Sequence, residues 1–223
     1  DARPADMNVQ IALIIKQIFH RILTVVVLVA QHAAKEQEIH IRIRVRERAF
    51  RFQRGVGRVR HETDFCFRMG KLRQRIAQRY QTLYGVTVEP ERIVLTCGAS
   101  PALVLALSSV FTPGDRIALA RPGYVAYRNS LKALHLEPVE TACGPEDRFQ
   151  LTARHLAELD PAPAGVIVAS PANPTGTIIP PEELEAIAKV CAERGIRIIS
   201  DEIYHGLSYT GRTPSMLEFR SEE

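Results

Sequence analysis

Residues 165–204 read GVIVASPANPTGTIIPPEELEAIAKVCAERGIRIISDEIY, and this stretch decides the fold. Its apolar runs at 165–170 and 196–200 predict two buried strands, because each run is short and is bounded by turn-forming or polar residues. Between them, residues 181–194 predict a helix that begins at consecutive prolines and ends before Gly195. Two strands joined through a helix by short loops are typical of a parallel sheet whose faces are covered by helices.

The same alternation of strands and helices begins at residue 71. Apolar side chains recur there at helical spacing, and short apolar runs predict further strands. Ser100 is placed to cap a helix whose first turn contains Pro101. The elements predicted before residue 165 are helices over 72–83, 101–111 and within 124–134, and strands over 92–96 and 116–120. The predicted class is therefore α/β, with a mostly parallel sheet flanked by helices.

The 223 residues divide sharply in charge and in proline content. Residues 1–80 hold 17 Lys and Arg against 7 Asp and Glu, whereas residues 81–223 hold 12 against 18. Only one of the 14 prolines precedes Pro90. A charged fraction of 24% with 46% hydrophobic residues excludes a disordered or collagen-like chain. The division predicts that residues 1–70 are an unassigned basic segment, distinct from residues 71–223.

The basic segment alternates apolar and basic residues over 39–52, a period of two that predicts a strand with one arginine face. Eight arginines and one acid lie from Arg42 to Arg60, as in a nucleic-acid patch. Nucleic acid is not predicted as a partner, since no zinc-ligand spacing or RNA-binding signature accompanies them. A solvated strand face is the plainer alternative. We favour the hypothesis that out-of-frame or misassigned coding sequence precedes the α/β part, and the other two reading frames of the gene would test it.

The cysteines and the apolar runs indicate in which cellular compartment the protein resides. The cysteines are scattered without any CxxC pair: Cys66, Cys97, Cys143 and Cys191. This usage predicts reduced, buried thiols in a cytoplasmic protein. The most apolar run, at 22–30, is too short to span a bilayer as a helix. It resembles a signal peptide in its flanking residues but begins too far into the chain, so neither a membrane nor export is predicted.

Three polar clusters follow predicted strands, at the edge where open parallel sheets bind ligands. Residues 98–100 enter a helix, and free N–H groups there favour a phosphate, although any strand-to-helix turn needs small residues. Asp201 would hold its carboxylate at the sheet edge, where it could pair with a protonated ring nitrogen or simply cap the next turn. Asn173 before Pro-Thr-Gly lies in a turn, which suits asparagine for structural reasons alone.

Two tyrosines complete this edge. Tyr124 could lay its ring on a flat ligand or belong to the core, and Tyr204 returns to the side of Asp201 if a helical turn follows. Together, the runs TCGASPAL (96–103), RPGYVAY (121–127), SPANPTGTIIP (170–180) and SDEIYHGLSY (200–209) resemble the pyridoxal-phosphate-dependent aminotransferases of class I/II, with the aspartate aminotransferase fold. The likeness covers about residues 70–223. Its most specific part is NPTG followed by an apolar strand that ends in Asp-Glu-x-Tyr.

The resemblance implies pyridoxal 5′-phosphate as cofactor and assigns roles by position. The backbone of Ala99 and Ser100, with the Ser100 hydroxyl, matches the phosphate-binding loop. Tyr124 matches the aromatic ring that stacks on the pyridine. Asn173 matches the side chain that binds the phenolic oxygen of the ring, and Tyr204 matches the second partner of that oxygen.

The aspartate and the lysine of this family carry the chemistry. Asp201 matches the carboxylate that keeps the ring nitrogen protonated, so that the ring accepts the electrons released when the substrate loses its α-proton. The family's Schiff-base lysine lies further along than this aspartate. The lysines here are Lys16, Lys35, Lys71, Lys132 and Lys189, and none follows Asp201. No catalytic residue is therefore predicted in this chain, which we expect to be part of a large domain and inactive alone. At its front, residues 61–64 stand where the family has a phosphate-binding tyrosine.

The activity implied is transfer of an amino group from an amino acid to a 2-oxo acid, by a homodimer. A pyridoxal-phosphate-dependent carbon–sulfur lyase of the same fold shares these motifs, so it stays open as an alternative. A second alternative is a non-catalytic aminotransferase-like regulatory domain, although no winged helix is recognisable in residues 1–70.

Overall fold

The computed structural model describes residues 11–16, 25–30, 61–96, 98–209 and 211–219. In these ranges the strands are β1 (Ile11–Lys16), β2 (Val25–Ala30), β3 (Arg116–Arg121), β4 (Glu137–Ala142), β5 (Gly165–Ala169) and β6 (Arg197–Asp201). The α-helices are α1 (His61–Tyr84), α2 (Ala99–Val110), α3 (Val125–Ala133), α4 (Ala153–Glu158) and α5 (Pro181–Arg194). The strand predicted over 39–52 lies outside the described residues. No helix in the described ranges is long and apolar enough to cross a membrane.

The six strands form one sheet in the order β2-β1-β6-β5-β3-β4. Every neighbouring pair is parallel except β1 and β2, which run antiparallel. The α/β class with a mostly parallel sheet is therefore confirmed. Because β3, β5 and β6 are parallel, their carboxyl ends meet at one edge of the sheet. At this edge Ala169, the last residue of β5, is paired with Asp201, the last residue of β6.

Both faces of the sheet are covered. On one face, Ile167 and Ile199 pack with α2 and α3. On the other, Val166 and Ile198 pack with α4 and α5. This alternation follows from the period of two along a strand, which sends successive side chains to opposite faces. The continuous apolar runs that predicted these strands are thus required by burial on both sides.

Helix α1 is longer than the sequence predicts. It runs from His61 to Tyr84, so it continues across residue 70, where the charge statistics change. Its Tyr80 packs in a third, smaller cluster with Ile93 and Leu217. The strand predicted over 92–96 is wrong, because Pro90 begins a tight 3-10 turn and only the single residue Ile93 makes a β-bridge. Ile93 is fully buried, so its apolar character reflects this cluster rather than the sheet.

The cap predicted for α2 is also wrong. Gly98 is the N-cap residue, and no side chain caps this end of the helix. The Gly98 carbonyl accepts the N–H of Ala102, which places Ser100 and Pro101 inside the first turn. Proline is tolerated there because the first N–H groups of a helix have no helical acceptor. By contrast, α5 begins and ends as predicted, with Gly195 in the left-handed conformation at φ 66°.

Candidate active site

The carboxylate of Asp201 is the centre of the carboxyl edge of the sheet. Asp201 ends β6 and is only 7% exposed. Its Oδ2 accepts a hydrogen bond from the hydroxyl of Tyr127 at 2.5 Å, and its Oδ1 accepts one from the N–H of Ile203 at 3.1 Å. The second bond caps the turn after β6. Asp201 therefore has the structural role that the sequence analysis gave as an alternative, and this role does not prevent it from binding a ligand.

The surroundings of the Asp201 carboxyl favour a positively charged ligand. Burial raises the pKa of this carboxyl, while the hydrogen bonds from Tyr127 and Ile203 oppose the rise. The pKa of Tyr127 is also raised, by burial and then by the negative charge of Asp201, so its hydroxyl keeps its proton and stays a donor. Among the described residues, no cationic side chain forms an ion pair with Asp201. A buried acid in this setting gains strongly from a cationic ligand.

Tyr124 stands at the start of α3, on the same edge. The turn before it is tight, because a Cβ at Gly123 would collide with the carbonyl oxygen of Ala120. The Tyr124 ring meets the Tyr127 ring edge-on, with centroids 5.4 Å apart and an angle of 89° between the planes. Tyr124 is 41% exposed, whereas Tyr127 is buried. Tyr124 therefore leaves part of its side chain open to a ligand, and the contact with Tyr127 restricts the orientation of its ring.

Asn173 lies between two cavities. One is a cleft of about 450 Å³ that Asn173 lines together with Tyr204 and Leu207. The other is a small cavity of about 20 Å³ lined by Asn173, Tyr124 and Tyr127. The structure thus brings Tyr124, Asn173 and Tyr204 to one region, and Asp201 joins it through its bond to Tyr127.

The loop that carries Asn173, residues 170–180, is held by its own hydrogen bonds. The N–H of Ala172 donates to the carbonyl of Thr177 at 3.0 Å, and that of Gly176 donates to the carbonyl of Ala172 at 2.8 Å. Gly176 has φ 68°, a conformation that glycine adopts without strain. The buried Gln150 donates to the Thr177 carbonyl from a neighbouring turn at 2.9 Å. Asn173 is therefore presented on a loop of defined shape.

Ala99 and Ser100 form the first turn of α2 and line neither cavity. The helix itself supplies no acceptor for their two N–H groups, which are therefore suited to an anion. The hydroxyl of Thr96 donates to the Gly98 carbonyl at 2.7 Å and fixes the approach to this turn.

A buried polar cluster behind the edge was missed by the sequence analysis. Glu202 is 1% exposed and accepts hydrogen bonds from the hydroxyls of Ser200 and Ser215 and from the N–H of Met216. Burial raises its pKa to about 7. His205, the residue that directly follows the Asp-Glu-x-Tyr motif, bonds to Tyr84 of α1. The acid directly after Asp201 was the one signal in the sequence, since a charged residue inside a buried turn needs partners.

Two of the lysines on the described helices lie away from the candidate site residues in sequence and are open to solvent. Lys132 and Lys189 are exposed on α3 and α5, as their helical spacing predicts. In the ranges that the structure describes, no group of three or more His, Cys, Asp and Glu could hold a metal ion. Cys143 and Cys191 are buried free thiols.

Known proteins are similar to part of this chain in sequence and in fold. A family model described as aminotransferase class I and II matches residues 36–221. The valine–pyruvate aminotransferase of Mycobacterium tuberculosis is 57% identical over 141 residues, which cover 63% of this chain and 36% of that protein. The aspartate aminotransferase of Geobacillus stearothermophilus is 33% identical over the same shares of the two chains.

Solved structures give the same result. An aminotransferase from Mycobacterium tuberculosis aligns with a TM-score of 0.63 and 56% identity, covering 65% of this chain and 37% of that one. Aspartate aminotransferase from Thermus thermophilus with maleate aligns with a TM-score of 0.64 and 30% identity, over 67% and 40%. This chain therefore spans little more than a third of the curated relatives named here. The relatives are aminotransferases, and the lyase and regulatory alternatives gain no support from them.

Proposed function

The chain belongs to the class I and II aminotransferases, a pyridoxal-phosphate-dependent family, and from this premise we propose that the carboxyl edge of its sheet binds pyridoxal 5′-phosphate. The whole protein, in this proposal, transfers an amino group from an amino acid to a 2-oxo acid. The observation that carries it is the Asp201 carboxylate, which is buried, holds two hydrogen bonds and forms no ion pair with any described residue.

The chemistry of Asp201 fits the pyridine nitrogen of this cofactor. When bound, pyridoxal phosphate withdraws electrons from the α-carbon of the substrate through its protonated ring. An ionised Asp201 would accept the N–H of that ring and hold its positive charge in a site with little water. Tyr127 and the N–H of Ile203 each donate to a different oxygen of Asp201, so they would fix the orientation of the carboxylate, and each oxygen could still accept the ring N–H.

Tyr124, Asn173 and Tyr204 would hold the flat part of the cofactor. The exposed ring face of Tyr124 suits stacking on a pyridine. The Asn173 amide and the Tyr204 hydroxyl, which line one cleft, can both donate to an anionic phenolic oxygen. Ala99 and Ser100 would bind the phosphate group through the N–H groups of the first turn of α2 and the Ser100 hydroxyl.

The proposed substrates follow the relatives. The pair to assay first is valine with pyruvate, since the relative with 57% identity bears that name. The proton transfers of the reaction need a base that we place on a lysine beyond Asp201 in the whole protein. A place in amino-acid metabolism follows from this reaction.

We also propose a cytoplasmic homodimer. The free thiols of Cys143 and Cys191 suit a reducing compartment. Leu207 is 66% exposed and Tyr209 is fully exposed beside the cleft, an apolar surface that a second subunit would cover. Division of the chain into a basic segment, 1–70, and a cofactor-binding part, 71–223, stays a prediction.

The test is whether Asp201 recognises the ring nitrogen. Binding of pyridoxal phosphate, and of its analogue with a carbon in place of that nitrogen, is measured by equilibrium dialysis. Unmodified protein should bind the natural cofactor about tenfold or more tighter, since a hydrogen bond to a charged group contributes about 1.5–3 kcal/mol. Asp201→Ala, which offers no group to the ring nitrogen, should bind both compounds alike, whereas Asp160→Ala, at an exposed site, should keep the preference. Equal binding of the two compounds by unmodified protein would refute the assignment.

A further inference from the structure

One imidazole connects three parts of the molecule behind the cleft. His205 lies in the turn after β6 and directly follows Tyr204. Its Nδ1 is 2.8 Å from the hydroxyl of Tyr84, at the end of α1. Its Nε2 is 3.0 Å from the carbonyl oxygen of Ser170, the residue directly after β5. We call this chain of groups, Tyr84–His205–Ser170, the imidazole bridge.

The partners of His205 determine its tautomer. A carbonyl oxygen can only accept, so Nε2 must carry the proton that binds Ser170. Nδ1 is then the acceptor, and the Tyr84 hydroxyl donates to it. Oε2 of Glu202 is 3.5 Å from Nδ1, which carries no proton in this tautomer, and Oε2 accepts its hydrogen bond from the Ser215 hydroxyl instead. Burial lowers the pKa of His205 to about 4, in agreement with a neutral ring.

The bridge reaches the loop that carries Asn173. The hydroxyl of Ser170 accepts the N–H of Ile179 at 3.0 Å, which closes the loop at its base. The carbonyl of the same serine is the group that His205 holds. One imidazole therefore ties the base of the Asn173 loop to the turn that carries Tyr204, and Tyr84 orients the imidazole.

We infer that His205, oriented by the Tyr84 hydroxyl, is a positioning residue that sets the placement of Asn173 relative to Tyr204 in the cleft. The two side chains come from different loops, so their spacing is fixed only by contacts between those loops. This inference rests on the proposed function for its ligand, the phenolic oxygen of pyridoxal phosphate, which both side chains would contact. The placement itself is a property of the protein without any ligand.

The substitution that tests the bridge is Tyr84→Phe, with Tyr80→Phe as a matched control. Tyr80 lies one turn earlier on α1 and is 1% exposed, and its hydroxyl has no hydrogen-bond partner in the described structure. Both variants lose one hydroxyl from the same helix, and only Tyr84→Phe removes the donor to His205. Nitrogen-15 NMR of the imidazole should show the Nε2–H tautomer in unmodified protein and in Tyr80→Phe. Tyr84→Phe should populate the Nδ1–H tautomer, because Nδ1 then needs a new partner and Glu202 is nearby.

Hydrogen exchange reports on the loop directly. The amides of Gly176 and Ile179, which close the loop, should exchange about fivefold to tenfold faster in Tyr84→Phe, the effect of losing roughly one hydrogen bond. In Tyr80→Phe they should be unchanged. In a His205→Gln background, where an amide can donate to Ser170 without help from Tyr84, the substitution Tyr84→Phe should have little further effect.

Dissociation constants for pyridoxal phosphate complete the experiment. Tyr84→Phe should weaken binding about fivefold relative to Tyr80→Phe, if Asn173 and Tyr204 bind the same atom. Unchanged exchange at Gly176 and Ile179 in Tyr84→Phe overturns the inference, whatever the cofactor does. Failure of unmodified protein to bind pyridoxal phosphate refutes the proposed function instead, and the exchange rates still decide the positioning role.

Discussion

Two adjacent acids at the end of β6 are both buried but serve different partners. Asp201 bonds to Tyr127, which lines the small cavity, whereas Glu202 turns into the protein toward Ser200, Ser215 and the N–H of Met216. This separation follows from the end of the strand, where successive side chains point to opposite faces. The consequence is that only one acid is available to a ligand, and the other stabilises the turn that presents it.

The buried pair Glu202 and His205 should give opposite pH dependences of stability. Burial raises the pKa of Glu202 from 4.5 to about 7, so the folded protein binds that proton more tightly than the unfolded chain. The free energy of unfolding therefore falls as pH rises from about 4.5 to 7. Burial lowers the pKa of His205 from 6.5 to about 4, so its contribution falls as pH drops through that interval. From about pH 4.5 to 6.5 the two slopes oppose each other and cancel.

Single substitutions should reveal each slope. In Glu202→Gln the free energy of unfolding should rise between about pH 4.5 and 7, by up to about 1.4 kcal/mol per pH unit relative to unmodified protein. In His205→Gln it should fall between about pH 4 and 6.5 by a similar amount relative to unmodified protein. Urea unfolding at half-unit pH steps measures both, and the difference from unmodified protein removes the contribution of Asp201. Parallel pH profiles in all three proteins would contradict the opposed shifts.

At the scale of elements, local sequence signals predict where a helix begins and ends better than they predict which segments pair in the sheet. Helix α5 was predicted to the residue, because Pro181 and Gly195 mark its ends in the sequence itself. The strand predicted over 92–96 fails, since whether an apolar run joins a sheet depends on distant neighbours. The same distinction holds for the site. Short motifs in the sequence identify four of its residues, which the structure brings to one region: Tyr124, Asn173, Asp201 and Tyr204. The Tyr84–His205 hydrogen bond could not be predicted from local sequence patterns, because it joins residues 121 positions apart.

Helix α1 offers a test of its unexpected length. Gly70 lies inside the helix and Gly85 follows its last residue at φ 69°, and a Cβ at either position meets nothing within 4 Å. Gly70→Ala should therefore raise the free energy of unfolding by about 1 kcal/mol, because alanine favours the helical backbone. Gly85→Ala should lower it by a similar amount, because alanine is strained in the left-handed conformation.

Chemical denaturation of the two glycine variants measures these changes and so tests the length of α1. Opposite signs establish a helix that crosses residue 70 and ends at Tyr84. A null effect of Gly70→Ala alone would instead place the start of the stable helix after residue 70, where the charge statistics change.

At the scale of the whole molecule, the first strands connect the basic segment to the site. β1 lies between β2 and β6, and Leu13 is in register with Asp201. The family model also begins at residue 36, within the basic segment. The charge excess of this segment is therefore no guide to a nucleic-acid partner, since part of it contributes strands beside the candidate site. The origin of this segment in another reading frame stays a hypothesis, and a substitution in β1 can test it.

Leu13→Pro should disturb both stability and the site. Proline has no N–H to donate, and β1 is bonded on both of its edges, so at least one bond of the sheet is lost. The expected loss of unfolding free energy is about 3 kcal/mol. Because β6 ends in Asp201, binding of pyridoxal phosphate should weaken in parallel. Leu13→Val, which keeps the N–H and suits a strand, should stay within about 1 kcal/mol of unmodified protein. If Leu13→Pro changes neither property, β1 contributes nothing to the fold, which is the result expected if residues 1–70 are foreign to the enzyme.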